Sequence, residues 1–152
     1  MITEKRIEEL GVKLPDFSAP KAMYIPAKRV GNILFISGQL PTVNGELAYT
    51  GKVGKDVSLE DAQLAAKYCA INILATAKYY LEDLDKIKNI VKIQAFVNSA
   101  DGFTSQHLVA NGASAFLVDA LGEKGMHART AVSVNELPLN SAIEIEAILE
   151  VE

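Results

Sequence analysis

Few side chains in this 152-residue chain have the type and placement to do chemistry. Arg129 stands first. It opens the alternating run Arg129–Asn135, directly after a loop containing Gly125 and His127. The alternation sets it opposite Thr130, Val132 and Val134, which the β-branched pattern assigns to the core. A guanidinium there can fork two donors onto one carboxylate, which the point charge of a lysine cannot match. A salt bridge to a C-terminal glutamate accounts for Arg129 equally well. Glu144 and Glu146 share the polar face of the final strand, where paired carboxylates are more often solvated or ion-paired than catalytic.

Geometry weighs on this pair. A tight hairpin centred near Leu139 sets Arg129 opposite residues around Leu149 rather than Glu144. The offset is about four or five residues, on the order of 15 Å. A site using both therefore needs a neighbouring subunit.

Other constellations are weaker. Gly51-Lys-Val-Gly54-Lys55 has a phosphate-loop flavour, but the GxxxxGK[ST] spacing is missing and no buried strand precedes it. His107 and His127 are the only histidines, with no acidic or second histidine ligand at metal spacing, so polar roles on the surface or beside a helix are expected and no metal is predicted. Cys69, the single cysteine, rules out an intrachain disulfide and sits on an apolar helical stripe, which reads as a small buried hydrophobe rather than a reactive thiol.

The elements that must hold these residues follow from periodicity. Thr3–Leu10 forms a short amphipathic helix stopped at Gly11, and Pro15 and Pro20 mark an extended connection. Ala22–Pro26 and Asn32–Ser37 read as two strands joined through Lys28-Arg-Val-Gly31. Pro41–Lys55 is loop with a short strand. Ser58 caps a long helix whose stripe is Ala62, Ala65, Ala66, Cys69, Ile73, Ala77, Tyr80 and Leu84, with Asp61 in the place of a capping-box glutamate. Ile90–Val97 is a largely buried strand, and Ser105–Leu121 a second helix ended by Gly122. In the last strand Ile143, Ile145, Ala147, Leu149 and Val151 point one way, and Glu144, Glu146, Ile148 and Glu150 the other. The whole is an α+β domain with two helices on one face of a sheet. Ile148, Ala131 and part of the central strand leave the second face semi-apolar, fit for burial by another subunit.

Composition agrees with one domain spanning residues 1–152. Apolar residues make up 49% and charged residues 22%, and the net charge of −4 argues against a broad nucleic-acid footprint. The first ten residues mix charges at helical spacing, unlike a secretory signal, so the expected location is cytoplasmic.

His127-Ala-Arg129-Thr-Ala-Val-Ser-Val-Asn-Glu-Leu-Pro138, followed by Ala142-Ile-Glu144-Ile-Glu146-Ala147, resembles the C-terminal signature of the RidA/YjgF family. Ile36-Ser37-Gly38-Gln39 with Pro41 resembles that family's SGQ-x-P motif, and Met23-Tyr24-Ile25-Pro26 its early tyrosine. Ala62-Gln63 and Asn72 fit its helix. The N-terminal extension, residues 1–20, and Asn111-Gly-Ala-Ser114 are similar to a longer branch, often labelled endoribonuclease L-PSP-like.

The resemblance implies a chorismate-mutase-like mixed sheet backed by two helices and packed as a barrel-like homotrimer. It also implies hydrolysis of reactive 2-enamine and 2-imine acids to 2-oxo acids and ammonia in an intersubunit pocket, without metal or organic cofactor. Arg129 would clamp the substrate carboxylate and Glu144 would hold the attacking water. Tyr24, Ser37 and Gly38 would line the pocket. Asn111 is the nearest counterpart of the family's helix asparagine, and Ala131 stands where the family often has cysteine. Two other functions stay open. One is a non-catalytic binder of small carboxylates; the other is an endoribonuclease inhibiting translation, against which the acidic charge and the lack of aromatic–basic interleaving count. No membrane partner is expected.

Overall fold

The computed structural model describes residues 1–17, 20 and 22–152. Ser18 and Ala19 of the N-terminal extension lie outside the described residues.

Helix α1 (Ile2–Glu9) leads through the extension to the hairpin β1 (Ala27–Val30) and β2 (Ile33–Gln39). The first strand begins five residues later than the sequence suggests, and Ala22–Pro26 forms bends. Pro26 has no N–H to give a ladder, and its carbonyl instead accepts from the Ser37 backbone N–H at 2.9 Å. Lys28, Arg29 and Val30 thereby fall inside the strand. The turn contracts to Gly31-Asn32, with Gly31 at φ +60°, between the paired residues Val30 and Ile33.

A small hairpin, β3 (Thr42–Val43) and β4 (Glu46–Leu47), turns on Asn44-Gly45, both at positive φ. The long helix α2 (Leu59–Leu81) starts where Ser58 Oγ accepts from the Asp61 N–H at 3.1 Å. Its small residues Ala62, Ala65, Ala66, Cys69 and Ala77 are fully buried against the sheet, whereas Tyr80 turns outward. Glu82, at φ +67°, ends the helix, so Leu84 packs from a following 3-10 turn.

Then come β5 (Ile87–Asn98), α3 (Gln106–Leu121), β6 (Ala128–Val134) and β7 (Ile143–Val151). The two large helices cross at Gly112, where a Cβ would sit 1.9 Å from the Gln63 carbonyl oxygen. The sheet order is β1-β2-β7-β5-β6, with β5 and β6 parallel and the other pairs antiparallel.

This order overturns the expected hairpin between the last two strands, because β5 lies between them. It also reverses the faces of β6. Arg129 pairs with Ile93, which pairs with Ala147, which pairs with Ile36, so Arg129 ends a row that is otherwise core. Arg129, Ala131 and Ser133 face the helix side, and Val132 is 41% exposed on the other. On this edge strand α3 covers the small and polar set, and the β-branched set lies on the other face. Ala131 packs on the core and does not belong to the open face. That face carries Phe35, Phe96, Ile148 and Val132 among Lys28, Lys92, Gln94, Glu144 and Glu146, flanked by exposed Met23, Tyr24 and Ile25. Among the described residues, no helix is long and apolar enough to cross a membrane.

Candidate functional site

One stripe of α3 holds the guanidinium of Arg129. His107, Asn111 and Ser114 recur at helical spacing and therefore face the same way. Arg129 Nη1 donates to Asn111 Oδ1 at 2.8 Å and to Ser114 Oγ at 3.2 Å, and Nη2 donates to the His107 carbonyl at 3.1 Å. All three acceptors are neutral. Among the described residues no carboxylate pairs with Arg129, so the salt bridge to a C-terminal glutamate is not formed. Three of the five guanidinium N–H groups are engaged, and among the described residues the remainder, including Nε–H, have no acceptor and can meet an incoming acid.

His127 adjoins this cluster, half-buried. Its Nε2 lies 2.9 Å from Ser114 Oγ and its Nδ1 2.6 Å from the Gly125 carbonyl. Burial, and secondarily the Arg129 charge, hold its pKa below the ordinary histidine value, although the Gly125 contact works the other way. Sequence reasoning placed His127 on the surface or a helix flank. The available signal was its position two residues before Arg129 in an extended segment, which puts both side chains on one side.

Glu144 belongs to a second group on the opposite sheet face. It pairs across the sheet with Phe96, and Gly38 of β2 lies directly beside it. A Cβ on Gly38 would come within 2.3 Å of Glu144 Oε1, so any larger residue there would push the carboxylate from this position. Burial, then the neighbouring Glu146, raises the Glu144 pKa, which makes the carboxylate a better proton acceptor. Ser37 lines an adjoining pocket of about 330 Å³ together with Ile25, Lys28, Phe35, Gln94 and Glu146. Its hydroxyl donates to the Pro26 carbonyl at 3.1 Å. Tyr24 is 57% exposed beside this pocket, in the bends before β1.

The anticipated residues thus fall into two groups. Arg129, Asn111 and Ala131 stand at the helix-side edge, while Glu144, Ser37, Gly38 and Tyr24 belong to or flank the open face. Arg129 and Glu144 are separated by three residues along the strands and by two strand spacings, about 14 Å between Cα atoms.

Cys69 is fully buried, and burial followed by the Glu144 charge pushes its thiol pKa well up, the opposite of an activated nucleophile. Among the described residues the one carboxylate cluster at ligand spacing is Glu4, Asp83 and Asp85. These groups accept backbone N–H bonds: Asp85 from Ile2 and Thr3, Glu4 from Leu84, and Asp83 from Asp85.

Comparison with known proteins gives this geometry its context. Residues 4–151 match the family described as "YjgF/chorismate_mutase-like, putative endoribonuclease". Protein TCP17 of Trypanosoma cruzi is 40% identical over 95% of this chain and 91% of its own length. The crystal structure of Atu1372 from Agrobacterium tumefaciens superposes with a TM-score of 0.93 at 47% identity, covering 99% of this chain and 93% of that one. RidA from an Antarctic Psychrobacter superposes at 0.61 with 28% identity, over 88% of this chain and 92% of its own.

Proposed function

Because the chain belongs to the YjgF/chorismate-mutase-like family, we propose that it is a homotrimeric hydrolase that converts reactive 2-enamine and 2-imine acids to 2-oxo acids and ammonia. The observation that carries this reading is the unneutralised guanidinium of Arg129, held in place by three neutral acceptors. A cation fixed in this way is preorganised for a carboxylate and loses little freedom on binding it.

An iminium carbon is already electrophilic, so fixing the acid and presenting one water supplies much of the catalysis. Glu144 of a neighbouring copy serves as the group that orients this water and takes its proton, its raised pKa favouring uptake. Supply of 2-aminoacrylate by a dehydratase tests the reading. Ketoacid release should accelerate with the wild type and not with Arg129→Ala, and equal rates would refute it.

A second reading, a non-catalytic binder of small carboxylates, is favoured by one observation: Glu144 lies on the face away from Arg129. Saturable binding of a 2-oxo acid without any acceleration of ketoacid release would select it.

A further inference from the structure

The hydrogen bonds around a neutral His127 have one consistent orientation. The Gly125 carbonyl only accepts, so Nδ1 carries the proton of the neutral ring. Nε2 then accepts from the Ser114 hydroxyl, and Ser114 Oγ in turn accepts from Arg129 Nη1. The chain runs from the guanidinium through a hydroxyl to an imidazole whose far nitrogen is anchored on backbone. Nothing in the packing of α3 on the core requires it, since Asn111 and His107 are exposed and Ser114 and His127 half-buried.

A bound carboxylate changes this arrangement. Burial is the larger opposition to protonation of His127, and the carboxylate removes the smaller one, the positive charge of Arg129 beside the ring. Once protonated on Nε2, the ring donates to Ser114 Oγ, and the Ser114 proton must then turn outward, toward the acid on Arg129. We propose that Ser114 and His127 form a substrate-gated proton relay, loaded by the carboxylate that Arg129 clamps and serving enamine acids in particular. This inference rests on the reading of Arg129 as a carboxylate clamp.

The step balances. The nitrogen lone pair of the enamine forms the C=N bond, and the C=C electron pair takes the Ser114 O–H proton at the terminal carbon. The imidazolium Nε2 proton restores the hydroxyl and leaves His127 neutral, to be recharged from solvent. The product is the iminium acid that water attacks. A substrate supplied already as the imine does not need this step.

Other charged groups near His127 do not substitute for Arg129. Glu123 and Lys124 of the preceding turn and Asp119 of α3 are exposed, and Lys92 of β5 lies on the opposite sheet face.

Two measurements test the relay on the full-length protein. Nuclear magnetic resonance titration of His127, with and without saturating 2-oxobutyrate, should show its pKa rising on binding. Rates with dehydratase-supplied enamine and with oxidase-supplied imine should then be compared in Ser114→Ala and His127→Gln. Loss of a support for Arg129 slows both substrates alike and cancels in their ratio. The enamine rate should fall by about a hundredfold more than the imine rate, the scale of general acid catalysis. Binding of 2-oxobutyrate with an unmoved His127 titration, or equal losses on both substrates, overturns the relay and leaves the clamp standing. Absence of any 2-oxobutyrate binding overturns the clamp and the relay together.

Discussion

Arg129 carries a full charge that the described residues of its own chain do not neutralise, and its replacement separates charge from shape. Arg129→Lys keeps the charge but loses the fork. Binding of a 2-oxo acid, measured by calorimetry, should weaken by about 1–3 kcal/mol, the scale of a charge-assisted hydrogen bond. Glu144 asks a different question. Its folded-state pKa is raised, so the folded chain holds the proton more tightly than the unfolded one. Stability is then lost as pH rises from the ordinary carboxylate value to the raised one. Glu144→Gln should remove that loss, leaving melting temperature flatter with pH across this window, while turnover slows and affinity stays near wild type. A steeper profile in the variant would show that the carboxylate is stabilised as an anion. Gly38→Ala should reach the same carboxylate by displacement, slowing turnover with affinity retained. Arg129 and Glu144 were legible because their types and strand positions are local features. Ser114 was not, because only the packing of α3 on an edge strand brings it to His127.

Elements differ in how much of them local sequence determines. The start of α2 does not depend on distant residues: a serine cap, a nearby acidic residue and a stripe of small residues specify it. The faces of β6 depend on which strands flank it, and the parallel pairing with β5 crosses an intervening helix. Periodicity alone cannot report that. Nor could it place β1, since Tyr24 and Ile25 are apolar in a strand-like run yet exposed in the single chain. Contact between the helices gives a sharp test. A Cβ at Gly112 would meet backbone, the Gln63 carbonyl, rather than a side chain that can rotate away. Gly112→Ala should therefore force the helices apart and cost about 1–3 kcal/mol, the range for overpacking, despite the better helix propensity of alanine. Denaturant unfolding of Gly112→Ala beside Ser58→Ala, expected to cost about 1 kcal/mol as a lost cap, would check both. A stabilised Gly112→Ala would mean that the helix crossing is looser than this.

At the scale of the whole molecule, each chain presents two unlike surfaces: an arginine edge at β6 and α3, and a carboxylate face around Gly38 and Glu144. Two such unlike surfaces on one chain can meet head to tail, and a rotation that closes after three copies yields three equivalent sites with no edge left over. The mixed open face, with Phe35, Ile148 and Val132 among charges, is what such contact would cover. Light scattering should return about three times the 16.4 kDa chain mass, and a monomer at micromolar concentration would remove the intersubunit site. The sharper test uses two crippled chains. Arg129→Ala retains the carboxylate and Glu144→Gln retains the guanidinium, so a site is whole only where the second chain lends its arginine to the first chain's glutamate. In trimers refolded from an equal mixture, each interface has this pairing in about one case in four by random assembly around a closed ring. Activity should then rise to about a quarter of wild type above the residual of either variant. If mass analysis confirms mixed trimers and the rate stays at the average of the two parents, both groups act from one chain. In that case Arg129 would have to swing from its α3 cradle around the sheet edge, against the hydrogen bonds that now hold it on the other side.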